Sequence, residues 1–319
     1  MEDPARHSGG AAAATVESIT ANLARVVHAR DETLRLVALC LLAEGHAIVE
    51  DFPGVGKTML AKSLARSLDL DFSRLQFTPD LLPSDVTGVN VFNQQTSRLE
   101  FRHGPVFANV LLVDEINRAS PKTQSALLEA MQEAQVTVDG ETVPLQLPFM
   151  VIATQNPIEY VGTYPLPEAQ LDRFTMRLAL GYPPLADEAR MLTEQTSDPP
   201  LESLRPVVGA EELNAAIEEA RAVFVEESLS RYVVALLRHT RANARLALGA
   251  SPRAGIALLR VAKALAVADG RAFLEPDDVK AVAGPVLAHR LILAPEARAS
   301  GSVAEEVVQE AIDQTPVPI

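Results

Sequence analysis

The segment Glu50-Asp51-Phe52-Pro53-Gly54-Val55-Gly56-Lys57-Thr58 constrains this chain more than any other feature. An apolar run, His46 to Glu50, precedes it and reads as a short strand. From Lys57 to Leu68 the apolar residues Met59, Leu60, Leu64 and Leu68 recur at helical spacing. Strand, small-residue turn and helix together make a phosphate-binding loop. Small residues let backbone N–H groups approach phosphate, and the helix N-terminus adds a positive dipole. In this reading the nucleotide-binding stretch is Asp51, Pro53, Gly54, Val55, Gly56, Lys57, Thr58 and Met59. Lys57 reaches the β- and γ-phosphates and Thr58 holds Mg2+. The strict pattern asks for glycine at position 51, where Asp51 stands. That leaves the first turn of the loop open, and a chance Gly-Lys-Thr at a helix start is the plain alternative.

A second motif weakens that alternative. Leu111-Leu112-Val113-Asp114-Glu115 is an apolar strand ending in two carboxylates. Asp114 suits the magnesium of an ATP site, through water, and Glu115 suits the general base that polarises attacking water. Solvated carboxylates after a strand are the competing explanation. Only one strand, Asp71 to Phe77, lies between the loop and the pair, as a nucleotide site requires. Asn156 ends the next strand, Phe149 to Ala153, and could orient the water. Asn before Pro157 is also ordinary turn chemistry. Arg173 and Arg253 could stabilise charge on a transferred phosphoryl group. Taken alone, each reads more readily as a surface or ion-pair arginine.

Strands alternating with helices predict an α/β fold with a mainly parallel sheet covered on both faces. Met1 to Ala14 is expected to be a disordered tail. Val16 to Leu42 is helical, with a break around His28 to Arg30. Ser120-Pro121 opens a helix that runs to about Glu133. Asp139-Gly140 marks a hairpin across Val136 to Val143, and Met176 to Leu180 is a fifth strand. After Tyr182-Pro183-Pro184 the character changes. Ser197 to Val208 reads as a linker. The helical patterns Glu211–Phe224, Glu227–Arg245, Pro252–Ala268 and Pro276–Leu293 then predict a small all-helical second domain. No apolar run approaches the roughly eighteen residues of a membrane span. The start carries no signal-peptide pattern, and the lone Cys40 fits a reducing compartment. A cytoplasmic protein is expected. The net charge of −14 disfavours a nucleic-acid partner.

The longer segments resemble the MoxR-type AAA+ ATPases from about Val16 to Leu293. They are Gly104-Pro105-Val106-Phe107-Ala108-Asn109, Asp114-Glu115-Ile116-Asn117-Arg118-Ala119 with the helix to Glu133, Ala153-Thr154-Gln155-Asn156-Pro157, and Gly162 to Phe174. The resemblance implies an AAA+ core at 15–197, a linker at 198–208 and a helical lid at 209–319. It implies an insert in the second helix at about 89–102 and a hairpin before the first sensor at about 134–147. It makes Asn156 the first sensor of the γ-phosphate, Arg173 the finger reaching a neighbouring subunit's site, and Arg253 the second sensor on the lid. It implies ATP and Mg2+ as cofactors and homo-oligomeric rings, usually hexamers. It also implies chaperone-like remodelling of complexes with von Willebrand factor A domain partners. A chelatase-type motor driving metal insertion, a nucleotide-gated scaffold and a DNA motor are the alternatives, the last disfavoured by charge. Ala29-Arg30 stands where relatives often carry Gly-Gln, so contacts to the base are less certain than contacts to phosphate.

Overall fold

The computed structural model describes residues 10–52, 54–155, 163–182, 188 and 200–318. Its first helix, α1 (Gly10–Ala24), begins inside the expected tail. Alanine is the strongest helix former, and here the run also packs. Ala12, Val16, Ile19 and Leu23 are buried, and the Ala12 amide donates to Glu219 at 3.0 Å. Residues 10–14 are therefore helix rather than tail. α2 (Asp31–Leu42) follows the break at His28 to Arg30. Next come β1 (Ala47–Glu50), α3 (Lys57–Ser67), β2 (Phe72–Gln76) and α4 (Pro83–Thr87). The antiparallel pair β3 (Gly88–Asn93) and β4 (Arg98–His103) forms the first insert. β5 (Val110–Asp114) leads to α5 (Pro121–Glu133), whose Ser120 cap accepts from the Thr123 amide. β6 (Gln135–Val138) and β7 (Glu141–Pro144) form the expected hairpin. Asp139 and Gly140 carry its positive φ values of 51° and 86°. β8 (Met150–Gln155), α6 (Glu168–Leu171) and β9 (Met176–Leu178) complete this part.

Five of these strands form one parallel sheet in the order β2-β5-β8-β1-β9. Alternation along each strand divides its side chains between two cores. Ile48, Leu111, Val113, Val151 and Ala153 join one cluster, with Phe77, Leu127 and Phe174. Ala47, Val49, Val110, Leu112, Met150 and Ile152 join the other. Because both faces are covered, the inner strands β1, β5 and β8 are apolar along most of their length and turn polar at their ends, while the outer strands β2 and β9 carry Ser73, Arg74 and Arg177.

The later elements are α7 (Ala210–Ala222), α8 (Glu227–Ala242), β10 (Leu246–Leu248), α9 (Pro252–Ala268), α10 (Pro276–Leu287), β11 (Ile292–Leu293), α11 (Pro295–Ala299) and α12 (Ala304–Gln314). Where the sequence pattern runs helix through to Leu293, α10 ends at Leu287. A short turn and strand follow, and β11 pairs with β10. The second core cluster does not stop at the sheet. It continues through α1 and α2 into Leu213, Ala216, Val261 and Leu265, so sheet and lid helices share one apolar interior. Of the expected linker, Leu204 and Val208 are buried, and the Val207 amide donates to the Ser67 carbonyl at 2.9 Å.

His46 sits at the N-terminal end of β1. Its Nδ1 accepts from the Val151 amide at 3.0 Å, so Nε2 carries the proton and donates to the Met131 carbonyl at 3.0 Å. Burial pulls its pKa down to about 4, and the ring is neutral at pH 7. It is a structural bridge from β1 to β8 and α5.

Candidate functional site

The parallel register brings the ends of β1, β5 and β8 to one edge. Glu50 stands beside Gln155, and Val113 beside Ala153. Ligands of open parallel sheets bind at such carboxyl ends. The loop after β1 turns through Gly54 and Gly56, with φ of 85° and 96°. Only glycine adopts these values without strain. A Cβ added to either would meet no atom within 4 Å, so the concave side of the loop is open. Pro53 lies outside the described residues. α3 starts at Lys57, and its first turn carries Thr58 and Met59. Lys57 Nζ donates to the Asp51 carbonyl at 2.6 Å. Burial lowers the Lys57 pKa, while Asp51, Asp114 and Glu115 push it back up.

Asp51 explains the missing glycine. It is absent from the residues of positive φ, so this position needs no glycine. Its buried carboxylate instead accepts from the Phe52 amide at 2.8 Å and the Gly181 amide at 2.7 Å. The loop is tied to the chain leaving β9, and Phe52 stacks on Tyr182 with ring centroids 5.5 Å apart. Asp51→Ala is expected to cost about 1–3 kcal/mol of stability and to weaken ATP binding. Chemical denaturation and a nucleotide titration check this. Unchanged values in both would mean the tie holds nothing.

Asp114 and Glu115 end β5 facing the loop. Asp114 Oδ2 accepts from Arg74 Nε at 2.7 Å, and Oδ1 accepts from the Thr154 hydroxyl at 3.3 Å. Glu115 has a left-handed backbone, φ 55°, held by its amide donating to the Thr154 hydroxyl at 3.0 Å. Such a strained non-glycine residue persists only where its surroundings fix it, often at functional sites. Its carboxylate accepts from Gln76 Nε2 at 2.9 Å and Arg118 Nη1 at 2.8 Å. Arg74 and Gln76 stand two residues apart on β2 and so share one face of the sheet. Asn156 lies outside the described residues. The hydroxyl of Thr58 and the carboxylate of Asp114 are hard oxygen donors that fit magnesium. Among the described residues no cluster of three or more His, Cys, Asp or Glu could hold a metal alone. Magnesium commonly completes its shell with phosphate oxygens and water.

Arg173 and Arg253 come together elsewhere. Both line a cleft of about 360 Å3 with Arg221, Arg260 and Arg290, beside His46, Phe149 and Thr175. Those last three residues precede or begin β1, β8 and β9, so the cleft opens on the edge opposite the loop. β1 has four residues, which separates the two edges by roughly 13 Å at about 3.3 Å per residue. Arg253 therefore joins Arg173, not Lys57. Sequence reasoning missed Arg74, Gln76 and Thr154. Their signal was polar residues on β2 and near the end of β8, the two strands that flank β5.

Comparison with known proteins adds a family. The model of the ATPase family associated with various cellular activities matches residues 46–176, and an AAA lid domain matches 238–311. The YeaC protein of Bacillus subtilis is 48% identical over 92% of both chains. The chaperone MoxR1 of Mycobacterium tuberculosis is 40% identical over 94% of this chain and 81% of its own. The MoxR protein of Methylorubrum extorquens is 30% identical over 93% of each. A crystal structure of a candidate ATPase from Cytophaga hutchinsonii superimposes with a TM-score of 0.90. It has 37% identity, covering 98% of this chain and 97% of that one.

Proposed function

Because the chain belongs to the MoxR family of AAA+ ATPases, we propose that it hydrolyses ATP in a ring of its own copies and uses the cycle to remodel partner complexes. One observation carries the ring. The phosphate loop and acidic pair lie on one edge of the sheet, and the arginine cleft on the other. Two half-sites on opposite edges of one chain complete each other when copies pack head to tail, and such packing makes a ring when the rotation from copy to copy closes. A hexamer is the form we expect. Partners with a von Willebrand factor A domain fit this reading. So does a cytoplasmic setting; among the described residues no helix is long and apolar enough to cross a membrane.

In this mechanism Lys57 and the amides of residues 54–58 hold the β- and γ-phosphates. Thr58 and Asp114 would hold magnesium, which when bound would supply neutralisation of phosphate charge. Glu115 takes the proton from the attacking water at its carboxylate. For that it must turn from Gln76 and Arg118 toward the loop, and Asp114, now paired with Arg74, would have to leave that partner to serve as a magnesium ligand. Asn156 orients the water. Arg173 and Arg253 of the adjoining copy stabilise charge on the transferring phosphoryl group.

The pairings of both carboxylates favour a second reading, a nucleotide-gated scaffold that hydrolyses slowly. A phosphate-release assay run across a range of protein concentrations, alongside sedimentation, separates the two. The ring reading expects turnover per chain to rise as copies assemble. A constant turnover per chain would remove it. A metal-chelatase subunit among proteins captured under ATP would move the function to a chelatase-type motor.

A further inference from the structure

Arg173 stands in a turn whose neighbours are pinned from the lid. α6 ends at Leu171, and the Arg173 and Phe174 amides donate back to Gln170 and Leu171 at 3.1 and 3.0 Å. The Phe174 ring is fully buried in the sheet's core. Its carbonyl accepts from Arg290 Nη2 at 2.7 Å and from His289 Nε2 at 3.0 Å. Arg290 also donates to the Asp172 carbonyl at 3.2 Å, and its Nε pairs with the Asp172 carboxylate at 2.9 Å. The Arg290 side chain is only 3% exposed. Burial lowers its pKa to about 10, opposed by Asp172, so it remains a cation at pH 7.

The same carboxylate reaches the cap of the helix that carries the other arginine. Ser251 Oγ donates to Asp172 Oδ2 at 3.1 Å and accepts from the Ala254 amide at 3.1 Å. Ser251 caps α9, the helix on which Arg253 is the second residue. Asp172 thus precedes Arg173 directly and, through one hydroxyl, grips the start of the helix that carries Arg253. Three contacts hold the backbone on both sides of Arg173 and leave its side chain to the cleft. A buried guanidinium is an expensive way to hold a fold together, since apolar packing serves as well. It gains point where a fixed geometry between charged groups is needed.

We propose that Asp172, Arg290 and Ser251 form a positioning unit that sets Arg173 and Arg253 at one spacing, so that both guanidinium groups meet one triphosphate together. This rests on the reading that the two arginines act on the nucleotide of an adjoining copy. None of the three residues needs to touch ATP.

The test uses the full chain. Arg290→Lys keeps the charge but lacks the planar fork whose Nη2 and Nε reach the two carbonyls and the Asp172 carboxylate in fixed directions. It should leave ATP affinity within about twofold and lower kcat by roughly 10- to 100-fold, the scale of a small misplacement of a catalytic group. In an Arg173→Ala background, Arg290→Lys should lower the residual single-turnover rate far less than it lowers that of the parent chain, the remainder being the displacement of Arg253. Mixing with Lys57→Ala chains, whose arginine face is intact, should restore turnover. Ser251→Ala should act in the same direction more weakly, and it carries the test if Arg290→Lys does not fold. Normal turnover in folded variants, or losses that multiply with Arg173→Ala, would overturn the proposal. Failure of Arg173→Ala to be rescued by Lys57→Ala would instead remove the adjoining-copy reading, and the single-turnover comparison would still judge the positioning role.

Discussion

Glu115→Gln should bind ATP as well as the parent chain and hydrolyse it about 10^2- to 10^4-fold more slowly, the range for loss of a general base. The substitution keeps the shape of the side chain. An amide oxygen can still accept from Gln76 or Arg118, which now hold the carboxylate at 2.9 and 2.8 Å. The Thr154 contact to the backbone at residue 115 is untouched. What is lost is a group able to take a proton from water. Equilibrium binding of ATP, followed by phosphate release on the same preparation, separates the two effects. A hydrolysis rate equal to that of the parent chain would assign the base elsewhere.

Arg173→Ala should be as severe for another reason. An arginine supplied to a phosphoryl transition state contributes about 10^3- to 10^5-fold to turnover. The substitution removes one side chain from the cleft, and the phosphate loop of the same chain lies across the sheet. ATP affinity should therefore stay within about twofold, because Lys57 and the loop amides make the ground-state contacts. The decisive measurement is a mixture. Chains with Arg173→Ala keep a working loop, and chains with Lys57→Ala keep a working arginine face. Each is inactive alone, and together they should regain activity at boundaries that join a good loop to a good arginine. If mixing restores nothing, the arginine acts within its own chain or not at all.

Much of this could be read before any coordinates. The apolar strands ending in polar residues fix a parallel sheet and its reactive edge, because a strand covered on both faces has nowhere else to place a carboxylate. Asp139-Gly140 and Ser120-Pro121 mark their turn and cap by local backbone preference alone. Other features depend on contacts distant in sequence. Asp51 looks like a defect in a glycine pattern until Gly181 is seen to donate to it. Arg253 reads as a partner of the phosphate loop, yet the packing of α9 carries it to Arg173. Ala-rich residues 10–14 look like a tail because their reason for order, Glu219, lies far along the chain. Single residues of β2 such as Arg74 and Gln76 leave no local trace of what they pair with.

The apolar interior shared by the sheet and the lid helices has a mechanical consequence. A machine that transmits force needs stiff parts and compliant joints. Among the described residues, Val49, Leu64, Leu213 and Val261 belong to one contiguous cluster, and swinging α7 and α9 away from α1 and α2 would expose that interior to water. In the proposed ring the chain would behave as a stiff lever, with compliance left to the seams between copies, where the nucleotide would be clasped. Each cleavage event would loosen one seam and let neighbouring levers rotate past one another. The stroke delivered to a client would thus be set by how the copies tilt, not by how any one of them bends.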